Sequence, residues 1–292
     1  MSSNTQLPPS ITTPPPPVPN TLISFPKPHI LLVTLNRPNQ LNAIPRLQHF
    51  ALERLWDWFD TQHTLRVAVL TGVGRAFCAG ADLKAGDSFN LSPETKDQQE
   101  LPEQGVNLRF PPGGFGGMSN RGGLKPIIGA VNGICFGGGM EMAINCDLIV
   151  AAKEALFALP EVAIGVIALA GALPRLVRSV GRQRAAEMAL SGKRYSAKEM
   201  LDWGLVNEVV EEQGKVLDKA LEWAERIAGN SPDAVIVTRE GLKLGWEGVG
   251  PEQGTDLLLK GWFGKIEGGD NMNEGVRSFN ERRKPVWKDS KL

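Results

Sequence analysis

The chain of 292 residues is 42% apolar and carries 32 basic and 32 acidic side chains, so its formal net charge is zero. That length supports one large globular unit with a sizeable core, and the balanced charge excludes a global field that would steer the protein to nucleic acid or an anionic membrane. Cys78, Cys135 and Cys146 lie in small or apolar surroundings without CxxC spacing, which excludes a zinc site and points to buried thiols in a reducing compartment.

Residues 1–20 are dominated by Pro, Thr and Ser and are expected to be disordered or extended as polyproline II. A strand is predicted from Ile30 to Asn36, stopping before Pro38, and a helix over 47–60, where Leu52, Leu55, Trp56 and Phe59 recur at helical spacing. Residues 67–71 (VAVLT) read as a buried strand that runs into a small-residue turn, 72–83. Gly72 and Gly74 lack the third glycine of a dinucleotide fingerprint, so a Rossmann nucleotide site is rejected. Residues 86–123, which include FPPGGFGG, read as a long, mobile segment at a ligand site. After Lys125-Pro126 comes another buried strand, IIGAVNG, and the stretch VNGICFGGGMEMAINCD at 131–147, followed by a strand over 147–152. Repetition of strand, turn and helix argues for mainly parallel strands joined by crossovers.

Beyond Pro160-Glu161 the pattern is helical. Helices are predicted over 175–190, 196–203 (opened by a capping box of Ser196 and Glu199), 214–228, 232–244 and 254–263. A last helix over 273–284 is expected to carry Arg277, Arg282, Arg283 and Lys284. No apolar run reaches membrane-spanning length and residues 1–20 lack a secretory pattern, so a soluble, non-secreted protein is expected. The closing Ser290-Lys291-Leu292 matches the peroxisomal address read by an import receptor, on a tail expected to be accessible.

Chemistry concentrates at two glycine-rich turns. In 131–147, Gly137, Gly138 and Gly139 lead into a helical run with Glu141 in its first turn, which fits either a backbone site for a negative oxygen or a tight turn packed on a neighbour. N–H groups near Ala81 and Gly138 could form an oxyanion hole, where removing one donor typically costs ~3 kcal/mol in barrier. Glu141 and Glu161 follow consecutive strands, and a carboxylate pair can divide acid and base work. Proton chemistry beside a carbonyl is the reading these residues support. His29, His49 and His63 form no catalytic or metal-ligand pattern.

The runs AFCAGADL (76–83) and AVNGICFGGGMEMAINCD (130–147), Pro160-Glu161, and WGLV (203–206) together resemble the enoyl-CoA hydratase/isomerase, or crotonase, superfamily. The resemblance implies an α/β crotonase (ClpP-like) fold: repeated ββα units forming a spiral, with a C-terminal helical subdomain. Its implied organisation is a tail over 1–20, a core over 21–195, a helical oligomerisation region over 196–287 and a tail over 288–292. It implies that Ala81 and Gly138 donate to the acyl-CoA thioester oxygen and stabilise an enolate, that Glu161 exchanges the α-carbon proton, and that Glu141 holds or deprotonates the water attacking the β-carbon. It further implies CoA contacts by Asp82, Leu83 and Lys84 through their backbone and by Arg282, Arg283 and Lys284 at the phosphates, commonly from an adjacent subunit of a homotrimer or homohexamer. No metal or separate cofactor is implied, CoA being part of the substrate. Leu169 stands where hydratases of the family have glycine and is therefore implied to shape the acyl pocket. The implied activity is hydration of a 2-enoyl-CoA, as in peroxisomal fatty-acid β-oxidation. Alternatives are an enoyl-CoA isomerase or other acyl-CoA lyase and, from another class, a non-catalytic acyl-CoA-binding oligomer.

Overall fold

A computed structural model describes residues 7–11, 13–83, 110–212 and 214–292. The chain opens with β1 (Thr21–Lys27) antiparallel to β2 (Ile30–Leu35), then α1 (Arg46–Thr61), β3 (Val67–Gly72) and β4 (Ala76–Cys78). Next come β5 (Ile127–Val131), β6 (Ile134–Phe136), α2 (Gly138–Ile144), β7 (Leu148–Ala152) and β8 (Leu156–Ala158). The remainder is α3 (Ala172–Val180), α4 (Arg182–Ser191), β9 (Tyr195–Ser196), α5 (Ala197–Asp202), β10 (Glu208–Val210), α6 (Val216–Ala228), α7 (Pro232–Trp246), α8 (Pro251–Gly261) and α9 (Asp270–Asn280).

Two sheets result. The larger runs β1-β2-β3-β5-β7-β10 and is parallel from β2 onward, while the smaller runs β4-β6-β8-β9 and is parallel from β4 to β8. Each of the pairs β3/β4, β5/β6 and β7/β8 sends its first strand to the larger sheet and its second to the smaller. These are the expected repeated units, and they place successive turns side by side at the ends of the strands.

The two-residue period of the strands decides what each face covers. Ala68 and Leu70 face the main core with Leu31, Val33 and Val131, whereas Val67 and Val69 face a second core with Ile30 and Ile128. Helix α6 seals that second face with Val216, Ala220, Ala224 and Ala228, four positions on one side of the helix. At the C-terminal end of α1, buried Lys125 donates to the carbonyls of Phe59 and Gln62 at 2.9 and 2.5 Å, satisfying groups the helix leaves open.

Several expectations are corrected. The proline-rich N-terminal stretch contributes to packing: Ile11 and Val18 are buried, and the Trp58 indole donates to Thr13 O at 3.0 Å. The single helix expected over 175–190 breaks into α3 and α4 at Gly181, whose φ of 81° and ψ of 161° are accessible only without a side chain. The last helix ends at Asn280, so Arg282, Arg283 and Lys284 follow it rather than ride on it, and Arg282 adopts φ 54°. Residues 110–123 are not a loose segment. Gly113 N–H donates to Glu53 Oε1 at 2.6 Å, Gly116 N–H to His49 Nδ1 at 2.9 Å, and the Trp56 indole to Gly116 O at 3.0 Å. The other part of that stretch, 84–109, lies outside the described residues. In the final tripeptide only Ser290 is buried, at 3% exposed, while Lys291 is exposed and Leu292 partly so; just ahead of it Asn271 both accepts from Lys288 N–H and donates to Lys288 O.

Candidate active site

The two glycine-rich turns meet. A Cβ placed on Gly80, after β4, would lie 3.2 Å from Gly138 N at the start of α2. Around this junction is a cleft of about 130 Å³ lined by Ala81, Gly138, Glu141 and Glu161 among otherwise largely apolar residues. On one side, Ile44 donates to Gly80 O at 3.0 Å and accepts from Asp82 N–H at 3.1 Å, so the amide of Ala81 between them faces away from Ile44. On the other, the first ladder bond of α2 is Glu141 N–H to Gly137 O, at 3.0 Å, which leaves the amide of Gly138 ahead of the helical ladder.

Each of the three glycines has its own reason. Gly137 takes φ 54° and ψ −125°, a conformation closed to side chains, and a Cβ there would come within 3.1 Å of Glu161 Oε1. At Gly138 a Cβ would stand 2.4 Å from the ring of Phe115, and at Gly139 one would stand 2.2 Å from Cys78 O. Backbone is therefore presented on one side and packed tightly on the other.

Glu141 is 3% exposed, and its Oε1 accepts N–H bonds from Ala170 at 2.8 Å and Ala172 at 3.3 Å. Burial pushes its carboxyl up to about 7; the amide of Ala172 opposes this, the nearby Glu161 adds to it, and the amide of Ala170 and the charge of Arg175 oppose it. Glu161 opens a 3-10 turn, Glu161–Ile164, after Pro160. Its carboxyl is also raised, by burial, and its Oε2 finds no hydrogen-bond partner among the described residues. Two carboxyls thus border one cleft, one held by two amides and the other with a buried oxygen left without a partner among the described residues.

The apolar wall comes from Leu83, Phe110, Phe115, Val166, Ile167 and Leu169, with Leu169 58% exposed at the opening. Asp82 is committed elsewhere, its carboxylate held by the Arg37 guanidinium at 2.8 Å and its N–H by Ile44. Lys84 lies outside the described residues. Arg282, Arg283 and Lys284 are not among the residues lining this cleft, and the Arg283 guanidinium is taken up by Glu274, at 2.6 and 2.9 Å, and by Glu281. The structure brings together Ala81, Gly138, Glu141, Glu161, Leu83 and Leu169. Sequence reasoning missed Phe115, the amides of Ala170 and Ala172, and Arg175, none of which carries a local pattern.

The match to known proteins covers this whole arrangement. Residues 27–290 match the enoyl-CoA hydratase/isomerase family. The chain belongs to that family. It is 55% identical over 290 residues to the mevalonyl-coenzyme A hydratase of Beauveria bassiana, covering 97% of this chain and 100% of the relative. It is 50% identical over 277 residues to the mevalonyl-coenzyme A hydratase of Aspergillus fumigatus, covering 95% and 98%. Among solved structures, an enoyl-CoA hydratase from Mycobacterium tuberculosis superposes with a TM-score of 0.79 at 34% identity over 93% of this chain and 100% of that one. The fold is the crotonase fold, and the protein is an enzyme of this family of hydro-lyases.

Proposed function

We propose that the protein interconverts mevalonyl-CoA and the corresponding 2-enoyl-CoA by loss and addition of water. The observation that carries this is the meeting of Glu141 and Glu161 on one cleft with the amides of Ala81 and Gly138. The names of the two relatives at 50% identity or more supply the acyl group, which is 3,5-dihydroxy-3-methylpentanoyl, where the resemblance to the family at large leaves the acyl chain open.

In the dehydration direction, the Glu161 carboxylate takes a proton from C2. The electron pair moves into the thioester, whose oxygen is held by the N–H groups of Ala81 and Gly138. As the enolate collapses, the C3–O bond breaks and the leaving hydroxyl takes a proton from Glu141, departing as water. Glu161 ends protonated and Glu141 ionised, and exchange with solvent resets the pair. Hydration is the reverse. The division of labour agrees with the environments: burial keeps a proton on Glu141 near neutrality, while Glu161, which also lines the cleft, has a buried Oε2 that no group among the described residues occupies. The branched acyl group suits the apolar wall around Leu169. Contacts of Leu83 with the CoA adenine, and of Arg282 and Lys284 with its phosphates from a neighbouring copy in a homo-oligomer, belong to the same proposal.

Incubation with mevalonyl-CoA, followed by the absorbance of the conjugated thioester, tests it. Appearance of that absorbance, its loss with Glu161→Gln, and slower turnover of crotonyl-CoA are expected. No reaction with mevalonyl-CoA together with rapid shift of a 3-enoyl-CoA double bond would identify an isomerase instead.

A further inference from the structure

Residues 113–121 contribute Phe115 alone to the lining of the cleft, yet both halves of the cleft are fastened through them. They are pinned to α1 by Glu53, His49 and Trp56, and Asn145, just past α2, donates to Met118 O at 2.7 Å and Arg121 O at 3.0 Å. At the centre is the hydroxyl of Ser119, fully buried. It accepts from Phe115 N–H at 2.7 Å and donates to Ala170 O at 2.7 Å. Phe115 is the ring against Gly138, and Ala170 is the residue whose N–H grips Glu141.

We propose that Ser119 is a positioning residue for the hydration reaction: its hydroxyl locks the turn that grips Glu141 to the segment that backs the Gly138 amide, so that carboxyl and oxyanion donor keep one geometry. The inference rests on the assignment of Glu141 as an acid–base group. A buried hydroxyl that accepts once and donates once leaves no slack between its partners, and without it both Ala170 O and Phe115 N–H lose a bond where no water reaches. Arg175 braces the same turn from α3, donating to Gly171 O at 3.2 Å and to Asn120 Oδ1 at 3.0 Å, a second link beside that of Ser119, whose hydroxyl reaches Ala170 and Phe115 themselves.

The consequence concerns the proton on Glu141. A donated N–H favours the ionised carboxylate, so a turn that drifts from Glu141 favours the protonated form. Other charged and titratable groups facing α2 leave this readable. Glu161 lies across the cleft and Arg175 comes from α3; the Cys78 thiol beneath Gly139 is pushed up to about 12 by burial, that of Cys135 is also raised by burial, and His49 behind Phe115 is lowered to about 3 by burial.

The test compares rate against pH for the full-length enzyme and Ser119→Ala, with mevalonyl-CoA as substrate. The limb that reports Glu141 is expected to move upward by about half a pH unit, with kcat down roughly tenfold and KM within about twofold. Ser278→Ala is the control: this serine on α9 is also buried and donates to Gly275 O at 3.0 Å, far from the turn, so its loss is expected to lower thermal stability without moving the limb. A Ser119→Ala profile superimposed on the wild type, or an equal shift in Ser278→Ala, would overturn the inference. Should Ser119→Ala fail to fold, Ser119→Cys, a weaker donor and acceptor, is expected to shift the limb part of the way, and an unshifted limb is again contrary. Glu141→Gln separates the two levels. An inactive, folded Glu141→Gln beside an unshifted Ser119→Ala sinks the role of Ser119 alone, whereas a fully active Glu141→Gln sinks the reading beneath it.

Discussion

Ala170 donates its N–H to Glu141 Oε1 at 2.8 Å, and the residue just before it, Leu169, stands in the mouth of the cleft. One turn therefore sets the environment of the Glu141 carboxyl and lines the cleft. Under the proposed function, substrate selection and proton transfer would be coupled through a single peptide unit.

Dehydration starts with Glu141 protonated and Glu161 ionised, hydration with the same single proton on Glu161, and the reaction takes up no net proton, so kcat/KM should follow one pH profile in both directions. Because burial raises the Glu141 carboxyl to about 7, both are expected to fall as pH rises through about 7 and the pair loses its shared proton. Initial rates at low substrate in both directions on one enzyme preparation check this. Rates that stay flat through pH 7 would contradict it.

The same shift has a cost in stability. A carboxyl whose folded-state pKa lies above its unfolded value contributes fully below the unfolded value, and the contribution is lost as pH rises through the folded one. With 4.5 as the ordinary value and about 7 in the fold, wild type should lose up to about 3 kcal/mol between pH 5 and 8 relative to Glu141→Gln. Urea unfolding of both proteins at the two pH values measures the difference. Equal pH dependence would show that Glu141 does not hold its proton in the native state.

Gly138→Ala should separate catalysis from binding. The added methyl would meet the Phe115 ring at 2.4 Å, forcing the start of α2 away from Phe115 and its amide out of line with the thioester oxygen. A fall in kcat of roughly 10²- to 10³-fold is expected, the scale of losing one oxyanion donor. CoA binding measured by calorimetry should be nearly unchanged, and an equal loss of binding would point to wider collapse.

Leu169→Ala removes apolar surface from the cleft without altering the backbone that serves Glu141. For a branched acyl group the loss of contact is expected to cost about 1–2 kcal/mol, appearing as roughly a tenfold rise in KM. Crotonyl-CoA, with less to bury, should lose less or gain. Identical changes for both substrates would remove Leu169 from the specificity wall.

Much of this site was legible in the sequence because its parts sit in local motifs: the glycine run that bares Gly138, the AFCAGADL turn that bares Ala81, and Glu141 and Glu161 each directly after a strand–turn junction. Strands β3 and β5 were equally plain, being apolar on both faces. Strand β1 was missed because it is half-exposed and contains Pro26, and β4, β6 and β8 because three residues are too few to show a period. The break at Gly181 lies inside an unbroken helical pattern, so only the dihedral angles reveal it. Ser119 has no signal of its own, since its meaning depends on Ala170, 51 residues further on. The pattern of misses is physical: short-range chemistry is written in the chain, and long-range bracing appears only when the turns are brought together.

The assignment of Glu161 to the carbon-bound proton is the centre of the account, and solvent deuterium exchange at C2 of a saturated 3-methylacyl-CoA lacking the C3 hydroxyl tests it most directly. With no leaving group, only proton removal and return can occur. Wild type and Glu141→Gln should both exchange the C2 proton, within about tenfold of each other, while Glu161→Gln should fall by 10²-fold or more. Exchange that persists in Glu161→Gln but vanishes in Glu141→Gln would contradict the assignment and reverse the roles of the two carboxyls.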